Sequence, residues 1–244
     1  MNLRKTFATS RRVLNQLRHD RRTLALLFVV PPVLLTILKF VFEGEIGLFN
    51  HLAPMLLGIF PMIMMFLITS IVTLRERTSG TLDRLMTMPI SKLDFMIGYA
   101  IAFSLIALVQ ALISGFVMLW LLGVSVMGGT APTILAAVLS AFLGTSLGLF
   151  ISAFARSEFQ AIQFMPAFIF PQLLTCGLFI ARNQMAQPLQ WFADIMPLTY
   201  SVEAMKQVTS HTAWTATFLW DLVLVFGFAI VALILGSVTI RRRE

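Results

Sequence analysis

The run RERTSGTLDRLMTMPISKLDF at 75–95 gathers most of the groups that could do chemistry in a chain otherwise built of Leu, Ile, Phe, Ala and Met. Arg75, Glu76, Arg77, Asp83 and Arg84 supply charges of both signs. Leu82, Leu85 and Met86 share one helix face through their i, i+3 and i+4 spacing. That combination suits docking better than catalysis. No glycine precedes any of the four lysines, so a Walker A phosphate loop is missing, and no G-x-G dinucleotide turn occurs. His19, His51 and His211 are too scattered for an H-E-x-x-H site, the lone Cys176 gives no zinc framework, and there is no G-x-S-x-G elbow. The chain is therefore expected to be no enzyme by itself, with no catalytic residue, metal site or cofactor of its own.

The elements that must hold this run can be read from its punctuation. Ser79-Gly80 supplies a turn, and 81–87 can form a short helix. Pro89 ends that helix early by pushing Met88 away from helical angles. Ser91-Lys92-Leu93-Asp94 resembles a capping box that starts a long apolar stretch at Phe95. A short helix so held could seat in a partner's groove and pass force to its two neighbours. Alternatively its apolar face lies on a lipid interface and Arg75, Arg77 and Arg84 are only charge anchors. Spacing leaves the two readings open.

Composition places these elements in a membrane. Of 244 residues, 58% are hydrophobic and 12% charged, against roughly 25% charged in soluble domains. Six stretches reach the ~20 apolar residues a spanning helix needs: 23–42, 52–74, 95–122, 133–154, 159–180 and 218–240. The first is read as a retained helix, because it contains Pro31-Pro32 and lacks a small-residue cleavage site. With the N-terminus inside, fifteen of the eighteen Lys and Arg residues fall on the cytoplasmic side, leaving Arg182 and Lys206 outside and Lys39 at the outer end of the first span. Both termini are then cytoplasmic. The net charge of +7 reflects topology, not nucleic-acid binding.

The first 22 residues are too polar to span. Leu3, Phe7, Leu14 and Leu17 recur at helical spacing among Arg4, Arg11, Arg12 and Arg18, which predicts an interfacial amphipathic helix on anionic lipid. The expected fold is all-α: one membrane domain over 1–244, with an interfacial helix at 1–22, six spans over 23–240, a cytoplasmic connection at 75–94 and an outer segment at 181–217. In the outer segment Ser201 to Thr209 can form a short amphipathic helix, while Trp191, Trp214 and Trp220 could equally form an interfacial belt. Within the spans, Gln110, Gln163 and Gln172 are expected to bond between helices, and Ser140, Gly144 and Gly148 to allow close packing. Charges are scarce there, which disfavours a proton-coupled transporter.

The stretch ERTSGTLDRLMTMPISKLDFMIGY resembles the signature of the ABC-2 family of transporter permeases through Glu76, Arg77, Gly80, Thr81, Leu82, Asp83, Leu85, Thr87, Pro89 and Gly98. ARSEFQAIQFMPAFIFPQLLTCGLF and QWFADIMPLTYSVEAMKQV are similar to later segments of its drug-exporter branch. Asp83 stands where the family often has Glu, and Met88 intrudes in the Thr-x-Pro turn.

The resemblance implies a permease that pairs with a second copy, as a homodimer, and binds a cytoplasmic ABC ATPase, which would hold ATP and Mg. Coupling to that ATPase is carried to Glu76, Arg77, Gly80, Thr81, Leu82, Asp83, Arg84, Leu85, Met86 and Pro89. It also implies an inner (plasma) membrane exporter of a hydrophobic or amphipathic compound, drug-like molecule or lipid, with an outer segment that caps the exit. The competing reading is a non-transport membrane protein, either an accessory subunit or an integral membrane enzyme.

Overall fold

Long apolar runs broken by Gly and Pro set the elements, and the computed structural model describes residues 3–79, 92–212 and 214–239. Every regular element among them is helical. In chain order these are α1 (Leu3–His19), α2 (Arg21–Val41), α3 (Ile46–Thr78), α4 (Lys92–Phe116) with a π-helical turn (Val117–Leu121), α5 (Thr130–Ser152), α6 (Glu158–Thr175), a 3₁₀ turn (Arg182–Gln184), α7 (Gln187–Ile195), α8 (Pro197–Ser210) and α9 (Ala216–Thr239).

Among the described residues, five helices are long and apolar enough to cross a membrane: α2, α3, α4 with its π turn, α5 and α9. The span expected at 159–180 is occupied by α6, which differs from these five. It has eighteen residues, includes Gln160, Gln163 and Gln172, and ends at Thr175. Gly177 follows with φ +87°, a left-handed conformation that stops the helix short of residue 180.

The centre of the bundle is α3 against α5. The expected small-residue stripe explains the contact: a Cβ on Gly144 would drive into the Met62 carbonyl, and one on Gly148 would meet the Phe66 carbonyl at 2.6 Å. Ser140 turns its hydroxyl back to the Ala136 carbonyl at 2.8 Å, so it adds little bulk at the same face. Two of the three glutamines bond between elements. Gln110 Nε2 donates to the Leu27 carbonyl at 3.2 Å, joining α4 to α2, and the Leu198 N–H donates to Gln172 Oε1 at 3.3 Å, joining α8 to α6. Gln163 instead lies on the exposed side of α6. Lys39 Nζ donates to the Leu122 carbonyl at 2.8 Å, satisfying an orphan acceptor just past the π turn.

The helix expected from Ser201 lies within α8, which begins earlier because Pro197 is pre-set for a first helical position. More than half of α8 is buried, including Leu198, Val202, Met205 and Val208, and it packs against α3, α5 and α9. Trp191, Trp214 and Trp220 are exposed around it.

Helix α1 also differs in detail from its apolar periodicity. Its buried side is Thr6, Thr9, Ser10, Val13 and Leu17, seated on α4, while Phe7 points outward at 71% exposure. Small hydroxyl residues let the two backbones approach, and that requirement outweighs hydrophobicity in choosing the inward face. At α1's C-terminal end, Asp20 caps α2: the Thr23 N–H donates to Oδ1 at 3.1 Å and the Thr23 hydroxyl to Oδ2 at 2.6 Å.

Candidate coupling site

Helix α3 ends in three consecutive charged residues, and rotation of about 100° per residue sends them to three different neighbours. Arg75 Nε and Nη2 donate to Glu158 Oε1 and Oε2 at 2.6 and 3.0 Å, tying α3 to the start of α6. Arg77 Nη1 donates to the carbonyl of Ser152, the last residue of α5. Glu76 turns inward, at 3% exposure, and takes two hydrogen bonds from α1: Arg12 Nη1 to Oε1 at 3.1 Å and Nη2 to Oε2 at 2.9 Å. This fork geometry is the strong form of a charge-assisted pair. A carboxylate so buried would be costly without it.

Arg12 reaches a third helix as well. Its Nη2 donates to the Tyr99 hydroxyl at 2.7 Å, and its guanidinium carbon lies 5.8 Å from the Tyr99 ring centroid. Tyr99 is fully buried on α4, with Phe95 at 4.2 Å on one side and Phe103 at 6.1 Å on the other. One residue before it, Gly98 allows α1 to lie directly on α4, since a Cβ there would meet Thr9 Cβ at 2.8 Å and the Thr6 carbonyl at 2.9 Å. Arg12, Glu76 and Tyr99 therefore clasp α1 to the last turn of α3 and the early part of α4, the helices that flank 80–91.

Of the residues the sequence singles out, Glu76 and Arg77 fall in this junction and both are anchored to other helices. Gly80, Thr81, Leu82, Asp83, Arg84, Leu85, Met86 and Pro89 lie outside the described residues, as do the short helix expected at 81–87 and Ser91 of the capping box. Sequence reasoning missed Arg12, Tyr99 and Glu158 as members of the junction. The available signal was Glu76 itself, a carboxylate in the last turn of an apolar helix, which implies a buried cation partner. Seven arginines and lysines precede residue 23, so spacing could not say which.

The junction holds no nucleophile beside a general base. Among the described residues, no group of three or more His, Cys, Asp or Glu side chains could hold a metal ion. Outside the spans, Asp20 has its carboxyl lowered chiefly by the Thr23 hydroxyl, so it stays charged near neutrality. What the arrangement does is tie the end of α3 to α1, α4, α5 and α6.

The opposite end of the bundle carries its own polar contacts. Arg182 pairs with Asp194, the Tyr200 hydroxyl donates to the Asp194 carbonyl at 2.6 Å, and Lys206 Nζ lies 3.6 Å from Glu203. Asp221, in the second turn of α9, is a carboxyl buried at 8% exposure near the end of its helix rather than at the centre.

A family model described as ABC-2 type transporter matches residues 5–210, from α1 through α8. The chain belongs to that family. ABC transporter G family member 20 of Dictyostelium discoideum is 31% identical over 141 residues, covering 58% of this chain and 19% of that protein. The probable multidrug ABC transporter permease YbhR of Escherichia coli (strain K12) is 26% identical over 170 residues, 66% of this chain and 46% of its own. The inner membrane transport permease YhhJ of the same strain is 30% identical over 142 residues, covering 58% and 38%. This ABC-2 chain thus spans under half the length of each of these relatives. The described part of its signature is the end of α3 and the start of α4, where the clasp sits.

Proposed function

We propose that this ABC-2 chain is the membrane-spanning subunit of an ATP-driven exporter in the inner (plasma) membrane, with six spans, both termini cytoplasmic and α1 at the cytoplasmic interface. The family match over residues 5–210 carries this reading. Residues 75–94 form the cytoplasmic connection whose short helix seats in a separate ABC ATPase, where ATP and Mg are held and hydrolysed. Support comes from the three anchors of Arg75, Glu76 and Arg77, which join the root of that connection to α6, α1 and α5. A push on the connection would reach five helices at once, α3 and α4 directly and α1, α5 and α6 through these anchors.

The sixth span is α6, at about 27 Å long for its eighteen residues. Its exposed side carries Gln163, Pro166 and Pro171 among the apolar Phe159, Ile162, Phe170 and Leu174. A second copy of the chain would give the Gln163 amide and the proline-freed carbonyls better partners than lipid does, and in this reading it lies on that side, across the transport path. The cargo is a hydrophobic or amphipathic compound, drug-like or lipid, in keeping with the mostly apolar spans and with the word multidrug in the YbhR description. Helices α7 and α8 cap the outer end of the path, α8 wedged among α3, α5 and α9.

Co-expression with an ABC ATPase encoded beside the chain tests the partner assignment. Stable copurification that disappears when Leu82, Leu85 and Met86 are each changed to Glu supports it. A complex that survives all three changes contradicts the coupling role.

A further inference from the structure

We propose that Arg12, Glu76 and Tyr99 are positioning residues that make α1, the end of α3 and the start of α4 a single rigid body, so that nucleotide-driven displacement of 80–91 moves α1 with the spans instead of bending the junction. This deepens the coupling reading above and rests on it for the source of the displacement.

Three observations converge on this role. The clasp bridges both flanks of 80–91, joining residues 64 and 87 positions apart in sequence to one guanidinium. Its acceptors are enclosed, with Glu76 and Tyr99 buried and the Phe95 and Phe103 rings tilted against Tyr99, while the Arg12 side chain keeps 32% exposure, so water competes little at the acceptor side. The helices it joins also interlock independently, because Gly98 brings α4 against the Thr6 backbone and Val13 and Leu17 pack with Phe95 and Tyr99. The bidentate pair fixes the register, and the phenol fixes the rotation of the guanidinium.

Electron spin-resonance distances test the proposal in the purified complex. Labels are placed at Ala8→Cys on α1 and Leu112→Cys on α4, both exposed, in a Cys176→Ala background and diluted with unlabelled chain. In the otherwise unchanged protein the distance should stay narrow and shift by less than about 2 Å, the scale of a helix shift, between the nucleotide-free state and ATP with vanadate. Glu76→Gln and Arg12→Gln should broaden it and make it nucleotide-dependent. Tyr99→Phe, which keeps the ring, should do so partially, and the exchange of Arg12→Glu with Glu76→Arg should restore the narrow distribution.

A distance that shifts with nucleotide in the unchanged protein overturns the rigid-body assignment. So does a distribution that stays narrow and nucleotide-independent in both Gln variants. Loss of ATPase copurification from the unchanged chain would defeat the coupling reading alone. The nucleotide-free comparison of Glu76→Gln with the charge exchange would still decide whether the clasp fixes α1.

Discussion

Two glutamates in the junction make opposite demands. Glu158 pairs with Arg75 in the open, with side chains 48% and 53% exposed, so the pair contributes at most about 1 kcal/mol. Glu76 is enclosed, and replacing it leaves Arg12 facing a neutral group. The cost should be about 2–3 kcal/mol, the lower side for a broken buried pair because the Arg12 side chain keeps 32% exposure. Thermal unfolding in detergent should therefore show a clear loss for Glu76→Gln and almost none for Glu158→Gln; equal losses would contradict the burial argument. Asp20 gives a pH-dependent case. Its carboxyl is lowered in the folded protein by Thr23, so its stabilisation is fully present above the unfolded value and is lost as pH falls through the lower folded value. Asp20→Ala should cost about 1 kcal/mol at neutral pH. The difference between the two proteins should shrink below about pH 4.

At the scale of elements, two glycine contacts set helix spacing, and they should fail differently. Gly144→Ala forces a methyl into the Met62 backbone, and a carbonyl on a packed helix cannot swing aside. Separation of α3 and α5 at the centre of the bundle should follow, costing about 3 kcal/mol or more and reducing the yield of folded protein. Gly98→Ala meets Thr9 and the Thr6 carbonyl, so it should lift α1 while leaving the spans folded. Protease access to α1 in membranes separates the two outcomes: a Gly98→Ala chain cut near its N-terminus, with the rest intact, is the expected result. The Ser140, Gly144 and Gly148 stripe was legible because small residues at four-residue spacing have one main use in a membrane helix. The inward face of α1 was not, because its Thr and Ser side chains are chosen for size rather than hydrophobicity. Periodicity marked Phe7 for a lipid interface, and Phe7 does face outward, but it said nothing of the Thr and Ser side that packs on α4. The end of α6 was misplaced for a related reason: Cys176-Gly177 reads as apolar continuation, but Gly177 takes a left-handed turn.

For the whole molecule, apolar length read from the sequence located the five described helices long and apolar enough to span and also marked 159–180, where α6 is less apolar and stops at Thr175. The resemblance at 75–98 pointed to the family that the match over residues 5–210 establishes. The candidate site was legible in part. Glu76 and Arg77 were visible in the motif, while Arg12 and Glu158 join them only through the fold, across 64 and 83 positions of chain. The central claim is that residues around Leu85 meet an ATPase rather than lipid. The direct measurement is site-specific cross-linking from Leu85→Cys in a Cys176→Ala chain, co-expressed in membranes with a candidate ABC ATPase and read by mass spectrometry. A cross-link from residue 85 to the ATPase, strengthened or weakened by ATP, is the predicted result. Adducts to lipid alone, with the ATPase present and unlinked, would contradict the account.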